Sequence, residues 1–248
     1  MSAMRVRYSN GNMFCSVTDV PAFPEGSFGL GIPEAIGDAA AARWFGSVNP
    51  AWGQLSETTC RTTGFAEGEL SYAIEIEPHD DYLDIKAELT NRSARVWEQS
   101  LAFNCFCCSG ADAISDHECV RHYVGVNGKP RRLVEVPRVF GPRPTIQLYN
   151  VEGAPRGRKI PFVKGFHATP DVVLEGWMAI QSRDGRRLVA AVSKPALFLF
   201  QNMEYSCIHS APGFGRLEPG RTGRALTRIY FSEGAIDDWY ARMKRDLA

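Results

Sequence analysis

Between residues 70 and 91 the chain alternates apolar and polar side chains so strictly that one backbone geometry is left to it. Leu70, Tyr72, Ile74 and Ile76 share a face, while Glu75 and Glu77 take the other. In the next run Leu83, Ile85, Ala87 and Leu89 point one way, and Asp84, Lys86 and Glu88 point the other. A period of two belongs to a strand, and one apolar face per strand belongs to a half-buried antiparallel sheet. Pro78-His79-Asp80-Asp81 between the runs predicts the hairpin turn that joins them.

The pattern extends along the chain. Strands are predicted over 97–105 and 119–126, and Asn127-Gly128 signals a two-residue hairpin into 132–136. Strands resume over 172–181 and 188–192. Leu197-Phe198-Leu199-Phe200 is an apolar run suited to burial on both faces, and 224–231 closes the set. Between these last two, Ala211-Pro212-Gly213 predicts a turn. Ile236, Trp239, Tyr240, Met243 and Leu247 form one helical stripe over 235–247, with Asp237 and Asp238 in the first turn and Lys244 and Arg245 in the last. Gly and Pro punctuate residues 1–69, which predicts an irregular segment whose Trp44, Phe45 and Trp52 lid one end of the sheets. Residues 137–170, rich in Pro, Gly and Arg, predict a long irregular loop. The expected fold class is all-β: a large antiparallel, supersandwich-like β-sandwich with one C-terminal α-helix. Residues 1–248 form a single domain in this reading, with the sandwich strands over 70–231.

Charge narrows the function classes. The 28 Lys and Arg balance the 28 Asp and Glu, so no surplus of cations exists to displace counterions from nucleic acid. No window approaches ~18 apolar residues, and the N-terminus has no apolar core of a secretory signal. Seven cysteines, an odd count, read as reduced thiols of a cytoplasmic protein. No cofactor is implied, and self-association into a homo-oligomer stays open.

Two stretches concentrate chemistry. Residues 104–123 bring Asn104, Cys105, Cys107, Cys108, Asp116, His117, Cys119, Arg121 and His122 around one strand–loop–strand connection. Buried thiols acting as small hydrophobes explain the cysteines, while His117, His122 and Cys119 offer a zinc-type donor set as the alternative. Asp116 and Arg121 either pair to fix the loop or bind sugar hydroxyls, which suit carboxylates and guanidinium forks. The second stretch follows Leu199. Read as one strand, it places Gln201, Met203, Tyr205, Cys207 and His209 on one face and Asn202, Glu204 and Ser206 on the other. A carboxylate and an imidazole near one strand end are the minimum for general acid–base chemistry, and a bulge there would bring Glu204 and His209 together. His167, at the end of the long loop, is a second imidazole within reach of a cleft, and Trp52 is an aromatic able to stack on a ligand.

An apolar strand, a Glu-bearing segment, Leu217-Glu218-Pro219-Gly220 and a last strand ending Ile229-Tyr230-Phe231 resemble the end of galactose-mutarotase-like supersandwich proteins. The layout is similar to that of aldose 1-epimerases, and Thr90-Asn91 after a strand is similar to their strand layout too. The resemblance implies a concave sheet face that binds a small-molecule carbohydrate, with Glu204 as base and a His as acid. The expected function is acid–base chemistry on a sugar or sugar acid, of an epimerase, lyase or hydrolase kind. Glu204 and His209 are its catalytic candidates, with His122 and His167 as alternative acids and Asn202, Asp116, Arg121, Asn104 and Trp52 as binding residues. The rival from another class is a non-catalytic sugar-binding or assembly module, and a metal-dependent site in 104–123 is the third reading.

Overall fold

A computed structural model describes residues 4–46, 48–139, 145–156 and 171–248. Its first strands are β1 (Arg5–Arg7), β2 (Phe14–Thr18), β3 (Phe28–Asp38), β4 (Arg43–Gly46), β5 (Ala51–Gln54) and β6 (Cys60–Ala66). They are followed by β7 (Leu70–Pro78), β8 (Tyr82–Asn91), β9 (Trp97–Cys107), β10 (His122–Val126), β11 (Lys129–Arg132) and β12 (Ile146–Val151). The chain closes with β13 (Val173–Leu174), β14 (Trp177–Gln181), β15 (Arg187–Lys194), β16 (Ala196–Asn202), β17 (Cys207–Leu217), β18 (Thr222–Glu233) and the helix α1 (Ile236–Asp246).

The fold is an all-β sandwich of two nine-stranded sheets. The first runs β1-β2-β3-β9-β17-β16-β12-β13, with β4 also on β3, and the second runs β11-β10-β14-β15-β18-β8-β7-β6-β5. All pairings are antiparallel except the short β12–β13 contact. The alternation at 70–89 does what its period dictates: Leu70, Ile74, Ile76, Leu83, Ile85 and Leu89 are all buried between the sheets. Phe28 and Phe106 from the first sheet meet Phe231 from the second, with ring centroids 5.1–5.9 Å apart. Helix α1 lies on the outer face of the second sheet, where Trp239 and Tyr240 pack on Trp177.

Two expectations are corrected. Residues expected to be irregular through 69 instead carry β1–β6, because their glycines and prolines sit in turns and in a bulge rather than outside the sheets. In β3, Gly31 pairs with Cys105 and Ala35 with Phe103, so Ile32, Pro33 and Glu34 stand against the single residue between. Proline is tolerated in a strand at such a bulge. Ala211-Pro212-Gly213 is likewise no turn but part of β17, whose pairing with β9 shifts register between Gly213 and Leu217. Trp44 and Phe45 lie on β4 and Trp52 on β5, with Phe45 stacked on Trp97.

The passage of the chain from the first sheet to the second is pinned at one residue. Glu218-Pro219-Gly220-Arg221 closes a turn by the Arg221 N–H to Glu218 O bond (3.0 Å), with Gly220 at φ +77°, the conformation a type II turn demands at that position. Asn91, at the end of β8, is fully buried beneath it. Its amide donates to Arg95 O (2.7 Å) and Leu217 O (2.9 Å), its Oδ1 accepts from Ser93, and its backbone carbonyl accepts from Gly220 N–H. Replacing it removes the side-chain donor to the buried Leu217 carbonyl, one of two donors to Arg95 O, and the acceptor for Ser93. Asn91→Ala is therefore expected to lower folding stability by about 2–4 kcal/mol. Urea unfolding measures it, and a loss under ~1 kcal/mol would show that Asn91 does not pin the crossing.

Candidate functional site

Period two, applied to neighbouring strands in register, builds the site. Cys207 of β17 pairs with Cys107 of β9, and Ile208 pairs with Phe106. On the other side Phe200 of β16 pairs with His209, and Asn202 pairs with Cys207. Ile208 and Phe106 enter the core between the sheets. Cys105, Cys107, Cys207, His209, Phe103, Phe200 and Asn202 all take the opposite, outer face. There they line a pocket of about 430 Å³ with Phe14, Glu34, Ile146 and Tyr205. Gly29 and Gly31 pair with Cys107 and Cys105 on β3. A Cβ at Gly31 would stand 2.9 Å from the Phe14 ring, so glycine there lets that ring close one wall.

His209 is buried and fixed. Its ring stacks on Phe103 (4.8 Å between centroids) and meets the Phe200 ring edge-on (5.1 Å). Its Nδ1 lies 2.9 Å from Phe200 O. A carbonyl only accepts, so Nδ1 carries the proton and Nε2 is left for the pocket. Burial alone would lower the His209 pKa, but the neighbouring Cys105, then Glu34 and the Phe200 carbonyl, carry it upward. Glu34, projected by the β3 bulge, is raised by burial and by Cys105 while His209 opposes the rise. The thiols share protons. Cys107 is lowered to about 6, chiefly by a hydrogen bond from Cys207, and Cys105 is lowered for the same reason, with His209 adding to it. Cys207, which stands beside both and 3.5 Å from Tyr205 O, is raised.

The rim is held by the 108–121 loop and the 203–206 turn. Ser206 O accepts from Cys108 N–H, Ser206 Oγ accepts from Asp116 N–H (2.8 Å), and Met203 O faces His117 Nδ1 (3.0 Å). Asn202 Oδ1 accepts from Glu204 N–H (2.9 Å) and starts the turn.

The structure sorts the residues expected from sequence. His209 and Asn202 stand in the pocket. Glu204 does not line it: residues 203–206 are a hairpin turn, which breaks the expected continuous strand, and the Glu204 carboxylate accepts from the Thr145 hydroxyl. The carboxylate facing His209 is Glu34. Asp116, Arg121 and His122 form a buried network at the end of the second sheet. The His122 Nδ1–H donates to Asp116 (3.0 Å), Arg121 N–H donates to the same oxygen (2.7 Å), and the guanidinium donates to Gln181 O (2.6 Å). Burial lowers the His122 pKa and keeps the ring neutral. These groups fix the loop, which is the ion-pair reading of Asp116 and Arg121. The zinc-type set His117, Cys119 and His122 does not converge, because Cys119 and His122 face each other inside (3.8 Å) while His117 is exposed against Met203. Asn104 turns inward among Leu30, Ile85 and Ile208, and neither side-chain polar atom has a hydrogen-bond partner among the described residues. Trp52 is buried on Tyr8 (5.0 Å) and donates to Asn12 O. His167 lies outside the described residues.

Sequence reasoning missed Glu34, Phe14 and the thiols as pocket groups. Pro33 inside an apolar stretch signalled the bulge that turns Glu34 outward. Cys105-x-Cys107 and Cys207-x-His209 signalled, by their spacing of two, that four reactive groups share a face.

No family model matches the sequence, and no curated protein matches it. Solved structures do. A galactose mutarotase-like protein from Lactobacillus casei aligns over 92% of this chain and 100% of its own at 10% identity, TM-score 0.47. The aldose epimerase homologue of C. elegans aligns over 94% and 99% at 8% identity, TM-score 0.42. An α-N-acetylgalactosaminidase from Bifidobacterium bifidum, solved as its GalNAc complex, aligns over 99% of this chain at 12% identity, TM-score 0.55. The chain spans 38% of that structure. The likeness is one of fold alone.

Thiol chemistry tests the geometry directly. Reaction of the native protein with iodoacetamide should modify Cys107 first, because it is half-buried with a pKa near 6. Its rate should rise to half its plateau near pH 6 and stay flat above about pH 7. Cys15 and Cys119, buried and raised, should react only on unfolding. Peptide mapping that finds Cys119 ahead of Cys107 would contradict the arrangement.

Proposed function

We propose that the pocket binds a small carbohydrate and performs acid–base chemistry on it. Glu34 and His209 form the working pair, and Asn202 is a hydrogen-bonding group. One observation carries the reading: two aromatic side chains flank the mouth in the open, Phe14 at 44% and Tyr205 at 60% exposure, above a floor that holds a carboxylate, an amide and an imidazole. Aromatic side chains around a concave pocket with a few convergent polar groups are what a small-molecule site presents. A sugar ring offers what they need, an apolar face of C–H groups beside hydroxyls that must be hydrogen-bonded. A volume of about 430 Å³ falls within the usual range for small-molecule sites.

The chemistry follows from the environment of each group. Burial shifts Glu34 upward, toward the range where a carboxyl both gives and takes protons near neutrality. His209, oriented through Nδ1 by the Phe200 carbonyl, presents Nε2 to the pocket beside Cys105, whose charge raises the ring's pKa and suits it to give and take a proton. Asn202 has its Oδ1 engaged by the turn, which leaves its NH₂ to donate to a hydroxyl. Fold likeness does not select among epimerase, lyase and hydrolase chemistry. The seven cysteines are free thiols, which supports a reducing, cytoplasmic setting. Among the described residues no helix is long and apolar enough to cross a membrane.

A sugar and sugar-acid panel assayed with variants tests this. Glu34→Gln and His209→Asn should each cut kcat by roughly 10²–10⁴ with little change in KM, the usual worth of a positioned acid or base. Glu204→Gln, outside the pocket, should cost less than about tenfold. A folded Glu34→Gln protein at full activity would sink the pairing. Sugar binding by the wild type without turnover at any pH would move the reading to a binding module.

A further inference from the structure

The Cys105 Sγ, Cys207 Sγ and His209 ring-nitrogen positions all lie within 4.8 Å of one another at the floor of the pocket. We propose that these three side chains bind a transition-metal ion of the zinc class, with its fourth coordination position open to the pocket.

Three features of the cluster point this way. Two thiolates and an imidazole are the donors that borderline-soft ions prefer over hard, oxygen-bound ones. Donors seated tetrahedrally on zinc, with bonds of about 2.3 Å to sulfur and 2.0 Å to nitrogen, stand roughly 3.5–3.8 Å apart. Closing the present spacing to that asks for movement on the order of 1 Å, within the reach of side-chain rotation. The imidazole is also held as ligating histidines are held: the Nδ1–H donates to the Phe200 carbonyl at 2.9 Å, which fixes the tautomer and leaves Nε2 for the metal. Phe103 and Phe200 pack the ring against rotation.

The third thiol stands beside the cluster: Cys107 Sγ lies 3.2 Å from Tyr205 O, the carbonyl that Cys207 Sγ approaches at 3.5 Å. The inward side of the cluster is closed by the sheet itself, and the outward side is the pocket. A bound ion would therefore offer its open position to a water or to a sugar hydroxyl, with Glu34 as the nearest carboxylate. The inference goes beyond the carbohydrate reading. One Nε2 does not hold a metal and take a proton together, so the metal-loaded and metal-free pockets are distinct chemical states. Sugar binding and turnover measured on metal-free protein keep failure of one reading apart from failure of the other.

Purified, fully reduced and metal-stripped protein should take up one equivalent of zinc by equilibrium dialysis. Cobalt(II) should give an absorption band from thiolate-to-metal charge transfer. Cys105→Ser, Cys207→Ser and His209→Ala should each weaken zinc binding by at least about 100-fold, since loss of even an outer-sphere partner costs about 10–100-fold. Cys60→Ser, away from the pocket, should bind as the wild type does. Circular dichroism confirms that each variant keeps its β-fold. Absence of zinc uptake by reduced wild type would overturn the proposal. So would binding that survives Cys105→Ser and Cys207→Ser, or a cobalt spectrum lacking the thiolate band.

Discussion

The register of β9 against β17 is the constraint on which the rest of the structure depends. With Cys207 opposite Cys107, Phe106 and Ile208 fall into the core and four reactive side chains fall outside it. A slip of one residue would exchange the two sets, burying thiols and imidazole between the sheets and putting Phe106 in water. Burial of the Phe28–Phe106–Phe231 cluster opposes that slip by several kcal/mol, since each large side chain moved from water to core contributes roughly 1.5–3 kcal/mol. The core thereby specifies the site: the same pairing that packs three phenylalanines delivers His209 and its cysteine neighbours to the other face.

Legibility followed local periodicity. The strands from 70 to 107 and the helix could be read because each buries one face against the core and writes that fact into its own residues. β3 could not, because its bulge breaks the alternation and its other outward positions are glycine and alanine. At the site the same division holds. His209 and Asn202 were visible as polar residues following an apolar run. Glu204 falls outside the pocket because residues 203–206, with Ser206 at φ +49°, form a hairpin turn where a continuing strand was expected. Glu34 was hidden in a segment read as irregular. Asp116, Arg121 and His122 carry the composition of an active site, yet their hydrogen bonds run to one another and to backbone carbonyls. Composition reports which groups are present. Only pairing across strands distant in sequence decides which of them converge.

The two outer faces of the sandwich differ in a way that bears on function. The outer face of the second sheet is shielded by α1 over Trp177 and Tyr230. Beyond the helix it carries a cross-strand charge ladder, with Arg61 on Glu75 (3.6 Å) and Arg224 on Glu88 (2.7 Å). Such a surface is satisfied by its own partners and by water. The outer face of the first sheet is built of Ala35, Leu101, Phe103, Ile146, Phe198 and Phe200, an apolar set of its own. Within it sit an imidazole, a carboxylate and three thiols.

That combination is costly unless it has a use. Ionisable groups set in an apolar wall lose hydration, which raises the Glu34 pKa, while interactions with their neighbours carry His209 upward and Cys105 downward against the effect of burial. A purely structural face would be more stable with aliphatic residues at Cys105, Cys207 and His209, where neighbours are already aromatic. The proposed ligand would complete the coordination or hydrogen bonding of these groups. The unequal treatment of the two outer faces supports placing that proposed ligand on β9, β17 and β16.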